Sequence, residues 1–345
     1  MNRLAPMTLT GATPFVFIVG APRCGTTFLA SHLARHPWVC FSKVKEPHFF
    51  AANDLRNVGE AELERLVRSE YLDRFFPHCH ESPVLVEASV TYLYTPEQLE
   101  PIVRLWPEAR FIVAVRDPLR LLPSLHQRLR YIGDETIEDF DRAWAAVPER
   151  RAGHQVPRRC ADPRFLDYWE AGRLGSYLER LFNVVGQERC FVSVFDDLVA
   201  DPARQYRKVL DFIGLPDDFQ QDFTPARESS GYKIEWLQRI LKRPPRAAIS
   251  VLASEQYQLR VGKGKNDGGG GFAARVLRAR KSLLRWNRAP APPVQVSREV
   301  EDHMREMFAD EIALLETLVE RPLGHWLGRG RAEALDSAMP VIPEG

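Results

Sequence analysis

Along the chain, apolar positions alternate between unbroken runs and helical spacing. "FVFIVG" (15–20) is a continuous apolar run of strand length. The "TTFLASHLARH" after the next turn repeats Leu29, Ala30, Leu33 and Ala34 at helical spacing until His36 and Pro37 end it. "WVCFS" (38–42) predicts a short strand. "RFIVAV" (110–115) is a second unbroken run, of the kind found in parallel strands covered on both faces. "RDPLRLLPSLHQRLR" then opens a helix, with Asp117 as N-cap and Pro118 in the first helical position. "LGSYLERLFNVV" (174–185) is helical, "CFVSVF" (190–195) predicts a further strand, and "DPARQYRKVLDFIGL" is a helix closed by Gly214. From Ser297, an N-cap followed by acidic residues, "SREVEDHMREMFADEIALLETLVER" predicts a long helix packed on the core. Strands alternating with helices predict an α/β fold, a parallel sheet with helices on both faces. No internal repeat interrupts the pattern.

Composition adds limits. With 345 residues and 45% hydrophobic content, the chain has material for a sizeable core. "PFVFIVGA" is too short to span a bilayer and runs into a glycine loop instead of a cleavage site, so any membrane association is expected to be peripheral. The five cysteines are scattered, odd in number and lack a Cys-x-x-Cys pair, which predicts reduced thiols in a cytoplasmic protein.

A net charge of +1 hides an asymmetry, because between Arg239 and Arg288 there are thirteen Lys/Arg against only Glu255 and Asp267. "GKGKNDGGGG" and "RAPAPPVQ" flank part of this stretch with flexible and extended composition, so 239–293 reads as a basic insertion or lid. In "FAARVLRARKSLLRW", Phe272, Val276 and Leu283 can share one side among basic residues. Such a segment suits an anionic partner, whether nucleic acid, acidic glycan or lipid headgroups, or else a solvated excursion.

The chemistry starts at "GAPRCGTTFL" (20–29). Gly20 and Gly25 allow a tight turn whose N–H groups converge on an anion at a helix N-terminus. A nucleotide-hydrolase loop would have lysine after the second glycine. Here Thr26 and Thr27 follow it, and the nearby cation is Arg23, inside the loop. Without that lysine, and with no apolar strand recognised as ending in aspartate, the equipment for magnesium and triphosphate is poor. Arg116 ends "RFIVAV" and Ser124 lies in the following helix. Together they make a second anion site at the edge where open α/β sheets bind ligands.

These residues resemble the sulfotransferases that use 3′-phosphoadenosine 5′-phosphosulfate (PAPS), particularly bacterial members related to the heparan-sulfate-type glycan enzymes. "APRCGTTFL" resembles the 5′-phosphosulfate loop, "KEPHFF" (45–50) the acceptor-side motif, "VAVRDPLRLLPS" the 3′-phosphate motif and "LLETLVERPLGHW" the C-terminal helix ending. The resemblance implies a P-loop-like three-layer fold in a single domain, with its core over about 14–236 and a C-terminal helix at 297–327.

It further implies that Cys24, Gly25, Thr26, Thr27 and Phe28 hold the phosphosulfate and that Arg23 takes the usual lysine's role. Arg116 and Ser124 would hold the 3′-phosphate, and Tyr177 in "GSY" would lie near the nucleotide. Glu46 is the implied catalytic base, with His48 its rival, while Lys45 and Glu87 would face the acceptor; a structural role for Glu87 is the alternative. Sulfuryl transfer by this family needs no metal, and its product is 3′-phosphoadenosine 5′-phosphate (PAP). The implied acceptor is a glycan, lipid-linked sugar or small molecule bearing a hydroxyl or amine, not a nucleic acid. A P-loop kinase or NTPase, or a non-catalytic nucleotide-binding protein, is the competing reading.

Overall fold

The computed structural model describes residues 14–79, 84–218, 221–223, 230–242 and 272–328. "GKGK" (262–265) and the rest of the glycine-rich stretch, to 271, lie outside the described residues. Five parallel strands form the central sheet in the order β2-β3-β1-β4-β5: β1 is Phe15–Gly20, β2 Val39–Phe41, β3 Val84–Ala88, β4 Arg110–Val115 and β5 Cys190–Val194. The central strand β1 is buried throughout, with Phe17 beside Glu87 of β3 on one side and Phe111 of β4 on the other.

Alternate residues of β1 point to opposite faces. Val16 and Ile18 pack with Leu29 and Leu33 of α1 (Thr26–Leu33) and with Val209 and Leu210 further along the chain. Phe15, Phe17 and Val19 join the larger core on the other face, which includes Leu121, Leu122, Leu178 and Phe308. The expected layering of helices on both faces is therefore present. Helix ends follow the local chemistry. In α2 (Pro118–Ile132), Asp117 accepts from the Leu119 N–H at 2.9 Å, and Gly133 closes the helix at φ 82°.

Further helices contribute to the core, among them α3 (Leu174–Val185), α4 (Phe195–Ala200), α5 (Pro202–Ile213) and, further along, α8 (Arg298–Val319). Between α5 and α8 lie α6 (Glu235–Lys242) and α7 (Phe272–Trp286), with β6 (Ser230–Tyr232) pairing antiparallel with β7 (Arg288–Pro290). Asp201 caps α5 and Gly214 ends it, while Ser297 caps α8 through the Val300 N–H.

The structure changes three expectations. First, strand β3 had no sequence signal strong enough to be read, because a glutamate interrupts its five residues. Second, "CFVSVF" is a strand only to Val194, and Phe195 already begins α4. Third, the cysteines are not all reduced thiols. Cys40 and Cys79 form a disulfide with a Cα–Cα distance of 5.7 Å, leaving Cys24, Cys160 and Cys190 free. Their 39-residue separation gave no spacing signal. They meet because the chain leaving β2 runs back along the helical segment that ends near Phe75, where the Lys43 N–H bonds the Phe75 carbonyl at 2.8 Å. The thiol argument for a cytoplasmic setting therefore loses two of its five residues. No helix among the described residues is long and apolar enough to cross a membrane.

The "GSY" triplet has a packing explanation. A Cβ on Gly175 would stand 2.4 Å from the backbone oxygen of Glu311 in α8, and the Ser176 N–H and hydroxyl both donate to the Glu311 carboxylate. Glycine at 175 is what lets α3 approach α8 so closely. Gly175→Ala is expected to lower stability by about 1–3 kcal/mol through this overpacking, measured by chemical denaturation. An unchanged unfolding midpoint would contradict that origin for the motif.

Candidate active site

The loop after β1 is shaped by backbone conformations that few residues accept. Gly25 has φ 91°, and a Cβ there would come within 2.3 Å of Leu198 in α4. Arg23 itself is left-handed, at φ 66°. Helix α1 has no side-chain cap, so the N–H groups of Thr26 and Thr27 at its start have no intrahelical acceptor. With the helix dipole, they form the electropositive end expected of an anion cradle. Thr27 is exposed and Thr26 buried.

Phe28 departs from its expected role. Its N–H donates to the Gly25 carbonyl at 2.9 Å, and its buried ring packs against His32. The Cys24 thiol is also buried, against the Pro22 carbonyl, and burial pushes it up to about 12. That makes Cys24 a packing residue with little thiolate character.

The two expected anion sites are physically joined. Arg23 Nε donates to Ser124 Oγ in α2 at 3.0 Å, and Arg116 donates back to the Arg23 carbonyl at 3.0 Å. The Arg116 guanidinium lies over the Phe195 ring, 4.3 Å from its centroid. Loop, strand end and helix thus converge on one cationic cluster. Burial holds the Arg23 pKa below its ordinary value, and the neighbouring positive charges of Arg128 and Arg116 lower it further. Burial lowers Arg116 too, with Cys24 and Asp117 opposing the shift and Arg120 adding to it. An anion bound at this cluster would relieve that repulsion. Arg128, exposed and one turn beyond Ser124, is a member of the cluster that sequence reading missed. Its i+4 spacing from Ser124 was the available signal.

Asp196 corrects another expectation. The apolar run "CFVSVF", a strand to Val194, is followed by Asp196 and Asp197 in the first turn of α4, so aspartates do lie just beyond an apolar strand. Asp196 Oδ2 accepts from Trp326 Nε1 at 2.8 Å and lies 2.9 Å from His325 Nε2, while Asp197 pairs with Arg321. These aspartates tie the "RPLGHW" ending to the turn after β5. The C-terminal motif thereby braces α4, whose Phe195 and Leu198 wall the loop.

On the acceptor side, Glu46 and His48 have positive φ, 65° and 57°. Such conformations in non-glycine residues are costly and cluster at functional sites. Lys45 Nζ is 2.5 Å from Glu46 Oε1, and His48 Nε2 is 3.8 Å from Glu46 Oε2. His48 is held from behind, its N–H donating to Ser89 Oγ at 2.9 Å and its Nδ1 meeting Thr91 Oγ1 at 2.8 Å. The rival bases are thus neighbours in one half-buried group, with the imidazole edge facing the carboxylate.

Glu87, expected to face the acceptor, does not reach this surface, and Tyr177, expected near the nucleotide, is buried. Glu87 is wholly buried in β3, accepting from the Tyr71 and Tyr92 hydroxyls, and burial pushes its carboxyl up to about 7. It therefore follows the structural alternative. Tyr177 is buried, with its ring edge-on to Tyr94 and its hydroxyl donating to Glu170 at 2.8 Å.

Between about pH 4.5 and 7, folded Glu87 keeps a proton that the unfolded chain has released, so stability falls as pH rises across that window. The full loss amounts to about 3 kcal/mol. Glu87→Gln is expected to melt progressively higher than the parent protein between pH 5 and 8. A melting difference independent of pH would contradict this. Asp117, pushed up to about 6 by burial, contributes with the same sign in both proteins and cancels in the comparison.

The family model described as "Sulfotransferase family" matches residues 41–220, just over half of the chain. The chain belongs to the sulfotransferase family. The matched region contains "KEPHFF" and the Arg116–Ser124 motif, while the glycine loop lies before it. Among curated sulfotransferases, the heparan sulfate glucosamine 3-O-sulfotransferase 3A1 of Mus musculus is 27% identical over 208 residues, covering 59% of this chain and 46% of that protein. Carbohydrate sulfotransferase 15 of Mus musculus is 29% identical over 252 residues, with coverages of 59% and 44%. The chain spans about half the length of these relatives or somewhat less. A solved sulfotransferase from Alicyclobacillus acidocaldarius superposes with a TM-score of 0.61 at 22% identity, covering 92% of this chain and 99% of its own, which shows a shared fold.

Proposed function

We propose that this sulfotransferase moves the sulfuryl group of PAPS to a hydroxyl or amine of a glycan, lipid-linked sugar or small molecule. The supporting observation is the cationic cluster where Arg23, Ser124 and Arg116 meet beside a helix N-terminus with no side-chain cap. A donor with charge at both its 5′ and 3′ positions suits a cluster that joins two anion sites. The names of the curated relatives, which specify a heparan sulfate glucosamine and a carbohydrate, favour a sugar hydroxyl.

In this reading, Thr26 and Thr27 N–H groups and hydroxyls hold the 5′ end. Arg116 and Ser124 take the 3′-phosphate. Arg23, already bonded to Ser124, spans the two and places positive charge where the leaving phosphate gains negative charge. Glu46 accepts the acceptor proton as its oxygen or nitrogen forms the new bond to sulfur, while the bond from sulfur to the 5′-phosphate oxygen breaks and PAP leaves. Lys45 and His48 hold the Glu46 carboxylate in place. Incubation with PAPS and a panel of oligosaccharides, followed by mass spectrometry, should reveal one added sulfate and stoichiometric PAP. PAPS binding without transfer to any acceptor would favour a non-catalytic role.

A further inference from the structure

Helices α6 and α7 carry apolar side chains that the fold leaves uncovered. Trp236 (65% exposed) and Ile240 (46%) lie one turn apart on α6, and Leu283 (43%) and Trp286 (55%) one turn apart at the end of α7. The helices are fastened from the inside: Arg280 Nε donates to the Leu241 carbonyl at 2.8 Å, and the buried Asn287 bonds both the N–H and carbonyl of Ile234. Lys233, which precedes α6 on its Trp236 side, places Nζ 5.3 Å from the centre of the Trp286 ring. That contact sets a residue just before α6 against the exposed tryptophan that ends α7.

Among the described residues of α6 and α7, Glu235 is the one acidic side chain against seven basic ones. Helix α7 has no acidic residue, and Arg275, Arg278, Lys281 and Arg285 on it are exposed. Glu235 of α6 is taken by Arg130 and Arg239. On α7, Arg278, Lys281 and Arg285 form one row and Leu283 and Trp286 another. Basic residues on the same two helices as exposed tryptophans and branched aliphatic side chains match the interfacial layer of an anionic bilayer, where indoles sit at headgroup depth and lysine and arginine reach lipid phosphates. An acidic glycan would use the charges and could stack on the indoles, but it offers nothing for exposed Ile240 and Leu283. The surface is separate from the proposed donor site: Gln238 of α6 bonds the Tyr131 carbonyl at the far end of α2, two turns beyond Ser124.

We infer that the α6–α7 surface docks the enzyme onto membranes rich in anionic lipid. This does not depend on the donor or acceptor chemistry. Cosedimentation of the full chain with vesicles tests it. Binding is expected to phosphatidylcholine vesicles containing about one third phosphatidylglycerol, to weaken as salt rises, and to be absent with phosphatidylcholine alone. Arg278→Glu/Lys281→Glu/Arg285→Glu should lower partitioning about 100-fold or more, since each basic residue near such a surface contributes about fivefold. Trp236→Ser/Trp286→Ser should lower it about tenfold while keeping the salt dependence. Unchanged thermal melting would show both variants folded. Equal vesicle binding by parent and variants would overturn the inference. So would retention on heparin through these side chains without vesicle binding, which would assign the surface to an acidic glycan. A dimer that both variants convert to monomer, again without vesicle binding, would assign it to a second copy of the chain.

Discussion

Arg116→Ala is expected to weaken PAP binding by about 10- to 100-fold, the value of hydrogen bonds to a charged group in a partly desolvated site. Arg116 is the proposed partner of the 3′-phosphate, and in the structure it also supports the Arg23 carbonyl in the loop. The two effects are separable by titrating ADP, which lacks the 3′-phosphate. Loss confined to PAP would place the effect at the 3′ end; equal losses for PAP and ADP would mean that Arg116 acts through the loop alone. Ser124→Ala should show the same selectivity with a smaller amplitude, because it removes a neutral partner and leaves the Arg23 guanidinium in place.

Glu46→Gln is expected to reduce turnover about 10²- to 10⁴-fold, the usual contribution of a positioned general base. PAP affinity should be unchanged, because Glu46 lies in the loop after β2 and the proposed donor site is built from the loop after β1, the end of β4 and α2. His48→Ala distinguishes the neighbours. With Nδ1 engaged by Thr91 and Nε2 facing Glu46, His48 orients the carboxylate, and its loss should cost less than that of Glu46. A larger cost for His48→Ala, with Glu46→Gln near parent turnover, would make the imidazole the base.

Much of this site was legible in the sequence because the strands and helices that present it carry local signals. Unbroken apolar runs marked β1 and β4, and Asp117, Gly214 and Ser297 marked helix ends through capping chemistry that needs no tertiary context. Gly25 announced a left-handed turn, and Arg116 followed its strand immediately. What escaped depended on contacts across the fold. Strand β3 is short and holds Glu87, tolerable there because Tyr71 and Tyr92 arrive from distant segments. The Cys40–Cys79 bond and the anchoring of Trp326 on Asp196 likewise join residues far apart in the chain.

"GSY" illustrates the converse, a motif whose placement near the nucleotide came from resemblance. Its glycine and serine serve the α3–α8 contact, and its tyrosine is bonded to Glu170. Arg23 was legible as the loop's cation, but the direction of its side chain was not. The structure turns it toward Ser124, so that the two separately read groups of residues touch.

Isothermal titration of the purified protein with PAP, ADP and magnesium-ATP tests the central claim most directly. Binding should be tightest for PAP, at least tenfold tighter than for ADP, and should persist in a metal chelator. Equal affinity for PAP and ADP, or preferential binding of magnesium-ATP, would contradict the assignment of this cluster to a 3′-phosphorylated sulfuryl donor.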